Sequence, residues 1–369
     1  MEIDIAKLEK NFRTLLRRVA PAEVMAVVKA NAYGLGVRKI APILKNAGAS
    51  FFAVATVDEA AEISEYGLPI QVLGNVFNDE IQDAVTMDLI IPIADFENAR
   101  AINAEAARQN KIIRAAIPVD TGMGRIGMLH DDAFNTILQI RNELQNIEIF
   151  GIYSHLATAW KLEDDYTVNQ ISKLESLLTK LKTAGFTPPH VYIAASNGIS
   201  NYPESFSAPF NIVRCGINMY GYTETQDDLQ LEEIARFTAK LIAVRELPAG
   251  SSIGYNRLHT LEKKSRVGTI AAGYADGIPL ALSNCGKVLI RGKYAPIIGR
   301  ISMDYTTILL NDIPEAQAGD EVVLFGRQQA NFISINDWAD AKQTHPHDLL
   351  CAIGSRVKRI YINTESQND

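Results

Sequence analysis

Lys29 closes the apolar run Ala26-Val27-Val28 and is followed at once by a turn-rich stretch, completing the segment AVVKANAYGLG. An amine in that position is partly desolvated. Desolvation disfavours the ammonium form, lowers its pKa and suits the amine to form a Schiff base with an aldehyde. Other apolar runs also end on polar residues: Asp120 with the glycine-rich TGMGR that contains Arg125, then His155, Ser196 and Arg214, while Tyr33 follows Lys29. Small residues fill 195–198 and 215–218, Gly216 among them, so backbone N–H groups there can close on a phosphate. Pyridoxal phosphate is the candidate aldehyde. Taken singly, each signal is ordinary. A lysine at a strand end is most often a snorkelling surface residue, a lone histidine a core residue, a lone arginine an ion-pair partner. Their coincidence at the exits of successive apolar runs carries the reading.

Gathering such residues requires strands that end on one face. The runs VMAVVKA, FFAVATV, IQVLGN, LIIPIAD, IIRAAIPVD, IEIFGIYSHL, VYIAASN and NIVRCGINMYG are short, β-branched and nearly continuous in apolar residues, as strands buried on both faces must be. Between them VRKIAPILKNAG, DDAFNTILQIRNEL and QISKLESLLTKLKTAG have helical spacing, two of them with glycine stops. Eight such units predict an α/β fold, a (β/α)8 TIM-like barrel over residues 1–230, with its chemistry at the C-terminal ends of the strands. From 231 to 369 the texture changes. FTAKLIAVREL, GKVLIRG, YAPIIGRI, YTTILL and EVVLFG are short strands separated by turn residues, predicting a C-terminal, mainly β domain with one helix at SINDWADAK and a frayed polar tail.

The composition excludes several functional classes. The chain has 369 residues, 47% hydrophobic and 21% charged, with net charge −7, so nothing recruits nucleic acid. The N-terminal MEIDIAKLEKNFRTLL is charged throughout, so no signal peptide or membrane span is expected and a cytoplasmic location follows. Cys215, Cys285 and Cys351 are odd in number and lack CxxC spacing; they read as reduced thiols, with no metal site.

Over nearly its whole length the chain resembles the alanine racemase family, fold-type III pyridoxal phosphate enzymes. AVVKANAYGLG, VDTGMGRIG, GIYSHLATA, VRCGINMYG, AAGYADGIP and GRISMDYTT match that family's characteristic stretches in order. The resemblance implies an isomerase in which Lys29 holds the cofactor and serves as one catalytic base. Tyr255, in SSIGYNRL, is the opposing base, delivered by the partner chain of a head-to-tail homodimer. Bases on both faces of the reacting carbon can remove a proton from one side and return it on the other. A free phenol has a pKa of about 10, so Tyr255 needs a hydrogen-bonding or cationic neighbour, and His155 is the implied one. Arg214 is similar to the residue facing the pyridine nitrogen. Because a guanidinium has no acceptor and keeps its proton, it would leave that nitrogen unprotonated and weaken the electron sink. The resemblance further assigns Tyr33, Ser196, Gly216 and Ile217 to the phosphate, Arg125 to the ring hydroxyl and the substrate carboxylate, and the Met303 backbone to that carboxylate. It places Tyr274 and Asp304 at the substrate entry. The implied role is D-alanine supply for a peptidoglycan precursor.

Two positions depart from the pattern. Pro118 stands where the family commonly has a lysine, often carbamylated, so Arg125 loses an anionic supporter. Ser355 stands where some members of the family have a phosphate-contacting tyrosine above the substrate methyl, and the resemblance then implies a larger pocket. One methylene discriminates by only ~1–3 kcal/mol, so a racemase acting on serine or a larger amino acid stays open beside alanine. A pyridoxal phosphate carrier fits a barrel with a lysine, but not the domain after residue 230. A fold-type III decarboxylase would face the ring nitrogen with an acidic residue instead of Arg214.

Overall fold

The computed structural model describes residues 1–223 and 229–363, so the tail expected to fray lies largely outside the described residues. The chain divides into two compact units. One comprises Leu8–Ala32 and Gly36–Glu232, and the other Met1–Lys7, Tyr33–Leu35 and Glu233–Asp369.

The first unit is a closed barrel of eight parallel strands: Glu23–Val27, Phe51–Val54, Ile70–Val72, Ile91–Pro92, Ile113–Asp120, Ile147–Tyr153, His190–Tyr192 and Ile212–Cys215. Six lie within the apolar runs read from the sequence, and Glu23–Val27 and His190–Tyr192 begin one residue before theirs. Six neighbouring pairs form regular parallel ladders, the last strand returning to the first with Arg214 opposite Met25. The two remaining seams are short. Ile90 N donates to Ile70 O (2.8 Å) and Val72 N to Ile90 O (3.1 Å), while Asn211 N donates to Val191 O (2.9 Å) and Arg214 N to Ala194 O (3.1 Å). With every strand paired on both sides no edge remains exposed, which is why residues such as Val24, Phe52 and Ile117 could be buried without polar alternation. The surrounding helices follow their periodicity. Val37–Ala47 buries Val37, Ile40, Ala41, Leu44 and Ala47 along one stripe and ends at Gly48, whose φ of 115° a side chain would resist.

The second unit is a largely antiparallel sheet in the order Lys293–Pro296, Lys287–Ile290, Glu321–Gln328, Ala235–Leu247, Glu2–Asp4, Ile360–Ile362, with Ser265–Ile270 and Thr306–Leu309 extending it beside Ala235–Leu247. Helix Ile335–Lys342 sits in the expected SINDWADAK, capped by Ser334. The N-terminal strand departs from a division at residue 230: Glu2–Asp4 runs antiparallel to Ala235–Leu247 and parallel to Ile360–Ile362, and Arg236 Nη1 donates to Glu2 at 2.8 Å. Three residues are too few to display a strand period, and both pairing partners lie more than 230 residues away. No helix among the described residues is long and apolar enough to cross a membrane.

Candidate active site

The strand Glu23–Val27 delivers Lys29 to the C-terminal end of the barrel, where the chain makes an unusual turn. Ala30, Asn31, Ala32 and Tyr33 have φ of 52°, 54°, 53° and 55°, a left-handed turn without a glycine. Each such residue costs roughly 1–2 kcal/mol, so the surroundings must hold it. The Glu59 carboxylate does so: Ala30 N donates to one oxygen and Ala55 N to the other, both at 2.7 Å. Asn31 Oδ1 accepts from Val37 N at 2.8 Å. Glu59 escaped the sequence reading, although its place three residues after Thr56, which caps its N–H at 3.3 Å, is the capping-box spacing.

Across the barrel, Arg214 is 5% exposed. Its Nη2 donates to the carbonyls of Ser154 and Ile193, while its Nε is buried without a partner. His155 follows the sixth strand, and its loop is clamped by Gln170, whose Nε2 donates to His155 O and whose Oε1 accepts from Ala157 N, each at 2.9 Å. The imidazole Nδ1 is also buried without a partner. Burial, then the charges of Arg214, Arg125 and Lys29, push the His155 pKa down to about 3. The ring is therefore neutral near pH 7, one nitrogen donating and the other accepting. Lys29, Arg125 and Arg214 are thus near enough to His155 for their charges to act on it.

Beside them Ser196 Oγ accepts from Gly216 N (3.2 Å) and donates to Asn218 Oδ1 (3.0 Å); Asn218 Nδ2 is buried without a partner. Ile217 opens the short turn Ile217–Tyr220 directly after Gly216. Asn218 and Gln170 were not singled out in the sequence, since neither has a distinctive spacing. Arg125 is exposed, and no carboxylate pairs with it among the described residues. Asp120, the acid of its loop, is occupied by Gly122 N (2.8 Å) and Gly124 N (3.0 Å), and Pro118 lies within the strand.

The other candidates belong to the second unit. Tyr255 is 70% exposed and stands just after the two-residue strand Ser252–Ile253, at a turn entered through Gly254 with φ 69°. Tyr274 and Met303 are held together by backbone: Tyr274 N donates to Ser302 O and Ala275 N to Met303 O, both 3.0 Å. Asp304 is engaged by Arg356 Nη1 at 2.8 Å, and the same guanidinium grips Asp276 through Nε and Nη2 at 2.7 and 2.8 Å. The Tyr33 ring is buried 5.7 Å from that of His347, and burial raises its phenol pKa.

Residues 3–224 match the family model for the alanine racemase N-terminal domain, and residues 234–361 that for the C-terminal domain. "Alanine racemase 2" of Caldanaerobacter subterraneus subsp. tengcongensis is 36% identical over 368 residues, covering 98% of this chain and 94% of that protein. The alanine racemase of Halothermothrix orenii is also 36% identical, with 98% and 96% coverage. Among solved structures, alanine racemase from Bartonella henselae with covalently bound pyridoxal phosphate superposes with a TM-score of 0.88 at 32% identity, covering 98% of both chains. That from Bacillus anthracis with bound L-Ala-P gives 0.91 at 30% identity, covering 98% and 94%. With both domain models matched in order across two units of the corresponding kind, the chain belongs to the alanine racemase family.

Proposed function

We propose that this protein is a pyridoxal phosphate-dependent racemase that interconverts L- and D-alanine. The observation that carries the reading is a set of buried polar atoms, on or just after the last strands of the barrel, that are left without partners: Arg214 Nε, His155 Nδ1 and Asn218 Nδ2. Arg214 Nε and Asn218 Nδ2 are donors, and buried donors are nearly always satisfied, so an acceptor from outside the chain is called for. The cofactor fits that set, with a ring nitrogen that accepts and a phosphate that accepts several N–H bonds.

Arg214 Nε would meet the ring nitrogen, and Ser196, Gly216 and Ile217, with Asn218 and Tyr33, would hold the phosphate. Bound pyridoxal phosphate supplies the electron sink that makes the substrate Cα–H acidic. Arg214, a donor with no acceptor, would leave the ring nitrogen unprotonated and restrain that sink. Lys29 holds the cofactor and moves a proton at its Nζ on one face of Cα. Tyr255 moves a proton at its phenol oxygen on the other, with neutral His155 as its hydrogen-bonding neighbour. Arg125 and the Met303 backbone bind the substrate carboxylate, and Tyr274 and Asp304 line the entry. In this reading residues 1–230 bind the cofactor and 231–369 contribute the second base. The 70% exposure of Tyr255 favours delivery to a second copy in a head-to-tail homodimer. We place the enzyme in the cytoplasm, supplying D-alanine for a peptidoglycan precursor.

Incubation with L-alanine in D2O tests the reading: D-alanine carrying deuterium at Cα is expected, and neither product nor exchange refutes it. Tyr255→Phe abolishes turnover in a racemase and changes nothing measurable in a carrier. Ser355, exposed and small, favours a second reading in which serine is also taken. Comparing kcat/KM for alanine, serine and lysine decides it, and a strong alanine preference removes it.

A further inference from the structure

Arg214 is a buried cation without a counter-anion. No carboxylate pairs with it among the described residues, and burial lowers its pKa. Its guanidinium carbon lies instead 5.4 Å from the ring centroid of Tyr153 and 5.6 Å from that of Tyr192. The two rings are stacked, 5.1 Å apart and 1° from parallel, and Tyr192 is tethered by its hydroxyl, which donates to Gln71 Oε1 at 2.7 Å. Tyr192 and Gln71 are fully buried, on the seventh and third barrel strands. Resting on the assignment of Arg214 to the cofactor, we infer that the Tyr153–Tyr192 stack is a positioning device for Arg214. The π-systems of these rings stand in for the absent carboxylate, and with Nη2 held by the Ser154 and Ile193 carbonyls, Nε is left without a protein partner. A carboxylate there would neutralise the guanidinium and compete for Nε. An aromatic face stabilises the charge while accepting no classical hydrogen bond. Tyr192 and Tyr153 thus act through Arg214 and are positioning residues.

The test titrates the apo-protein with pyridoxal phosphate, reading Kd from protein fluorescence and the position of the visible band of the bound cofactor. Tyr192→Phe keeps the ring face and is expected to hold Kd within about two-fold; Tyr192→Leu removes it and is expected to raise Kd on the order of ten-fold and move the band. If the leucine variant does not fold, pentafluorophenylalanine at position 192 keeps the ring's shape while reversing the sign of its face, and the same loss is expected. A folded leucine or pentafluoro variant with wild-type Kd overturns the inference and leaves the cofactor reading standing. So does Tyr192→Phe weakened as much as the leucine variant. Wild-type protein that binds no pyridoxal phosphate, or whose visible band survives Lys29→Ala, overturns both.

Discussion

Removing the Glu59 carboxylate tests whether the turn after Lys29 is held against its own preference. Four consecutive left-handed residues, Ala30 to Tyr33, store on the order of 4–8 kcal/mol. Glu59 opposes that strain with two hydrogen bonds of 2.7 Å, to Ala30 N and Ala55 N. A hydrogen bond to a charged group contributes about 1.5–3 kcal/mol, and the low end applies because Ala30 is exposed, so Glu59→Ala loses about 3 kcal/mol. For a unit of this size that corresponds to a fall in Tm of roughly 6–12 °C. Glu59→Gln keeps one acceptor oxygen and falls between. Circular dichroism melts of the apo-protein give Tm, and the visible band after saturation with pyridoxal phosphate reports whether Lys29 is still presented. The expected result is lower Tm together with lower loading. Glu59→Ala melting within about 2 °C of wild type with unchanged loading refutes the argument, because the turn would then be stable without its clamp.

Three further outcomes are expected. Glu233 Oε1 accepts from Ser334 Oγ at 2.6 Å while Oε2 is buried without a partner, and burial raises the carboxyl pKa from 4.5 to about 7. The folded state holds a proton that the unfolded state has lost, so this stability is complete below pH 4.5 and disappears as pH rises to about 7. Glu233→Gln should match wild type in urea midpoint at acid pH and exceed it at pH 8; equal midpoints at both count against the assignment. For His155 the sign is opposite. The unfolded imidazole takes a proton below about 6.5 and the folded one not until about 3, so stability falls across that window as pH drops, and His155→Asn should flatten the slope. At Gly273 an added Cβ would run into the backbone carbonyls of Ser302 and Met303. Gly273→Ala should therefore cost about 1–3 kcal/mol by denaturant unfolding and raise KM for alanine, and an unaltered KM disconnects Met303 from substrate.

Much of the barrel is legible from short-range pattern because its strands are buried on both faces and need no alternation. IIRAAIPVD and IEIFGIYSHL announce themselves by β-branched continuity alone. Lys29, His155 and Ser196 are visible for the same reason, as polar residues that end such runs. Gln71, Tyr153 and Tyr192 are not. Inside a strand, a tyrosine or glutamine has the same local signature whether it packs idly or braces an arginine. Glu59 reads as an ordinary helix-start acid until its two N–H donors, 29 and four residues away, are seen to meet on it.

By itself, then, the sequence determines the elements: eight buried strands with polar exits, helices stopped by glycine, and a turn-punctuated β region after residue 230. Tertiary structure alone decides the pairings that turn those exits into a site. Arg214 finds the Ser154 carbonyl 60 positions earlier, and Tyr192 reaches Gln71 121 positions earlier. Glu2–Asp4 joins a strand that begins at Ala235. Periodicity reflects one element's exposure to solvent and is written in neighbouring residues, whereas contacts across a closed barrel depend on register and closure summed over every strand.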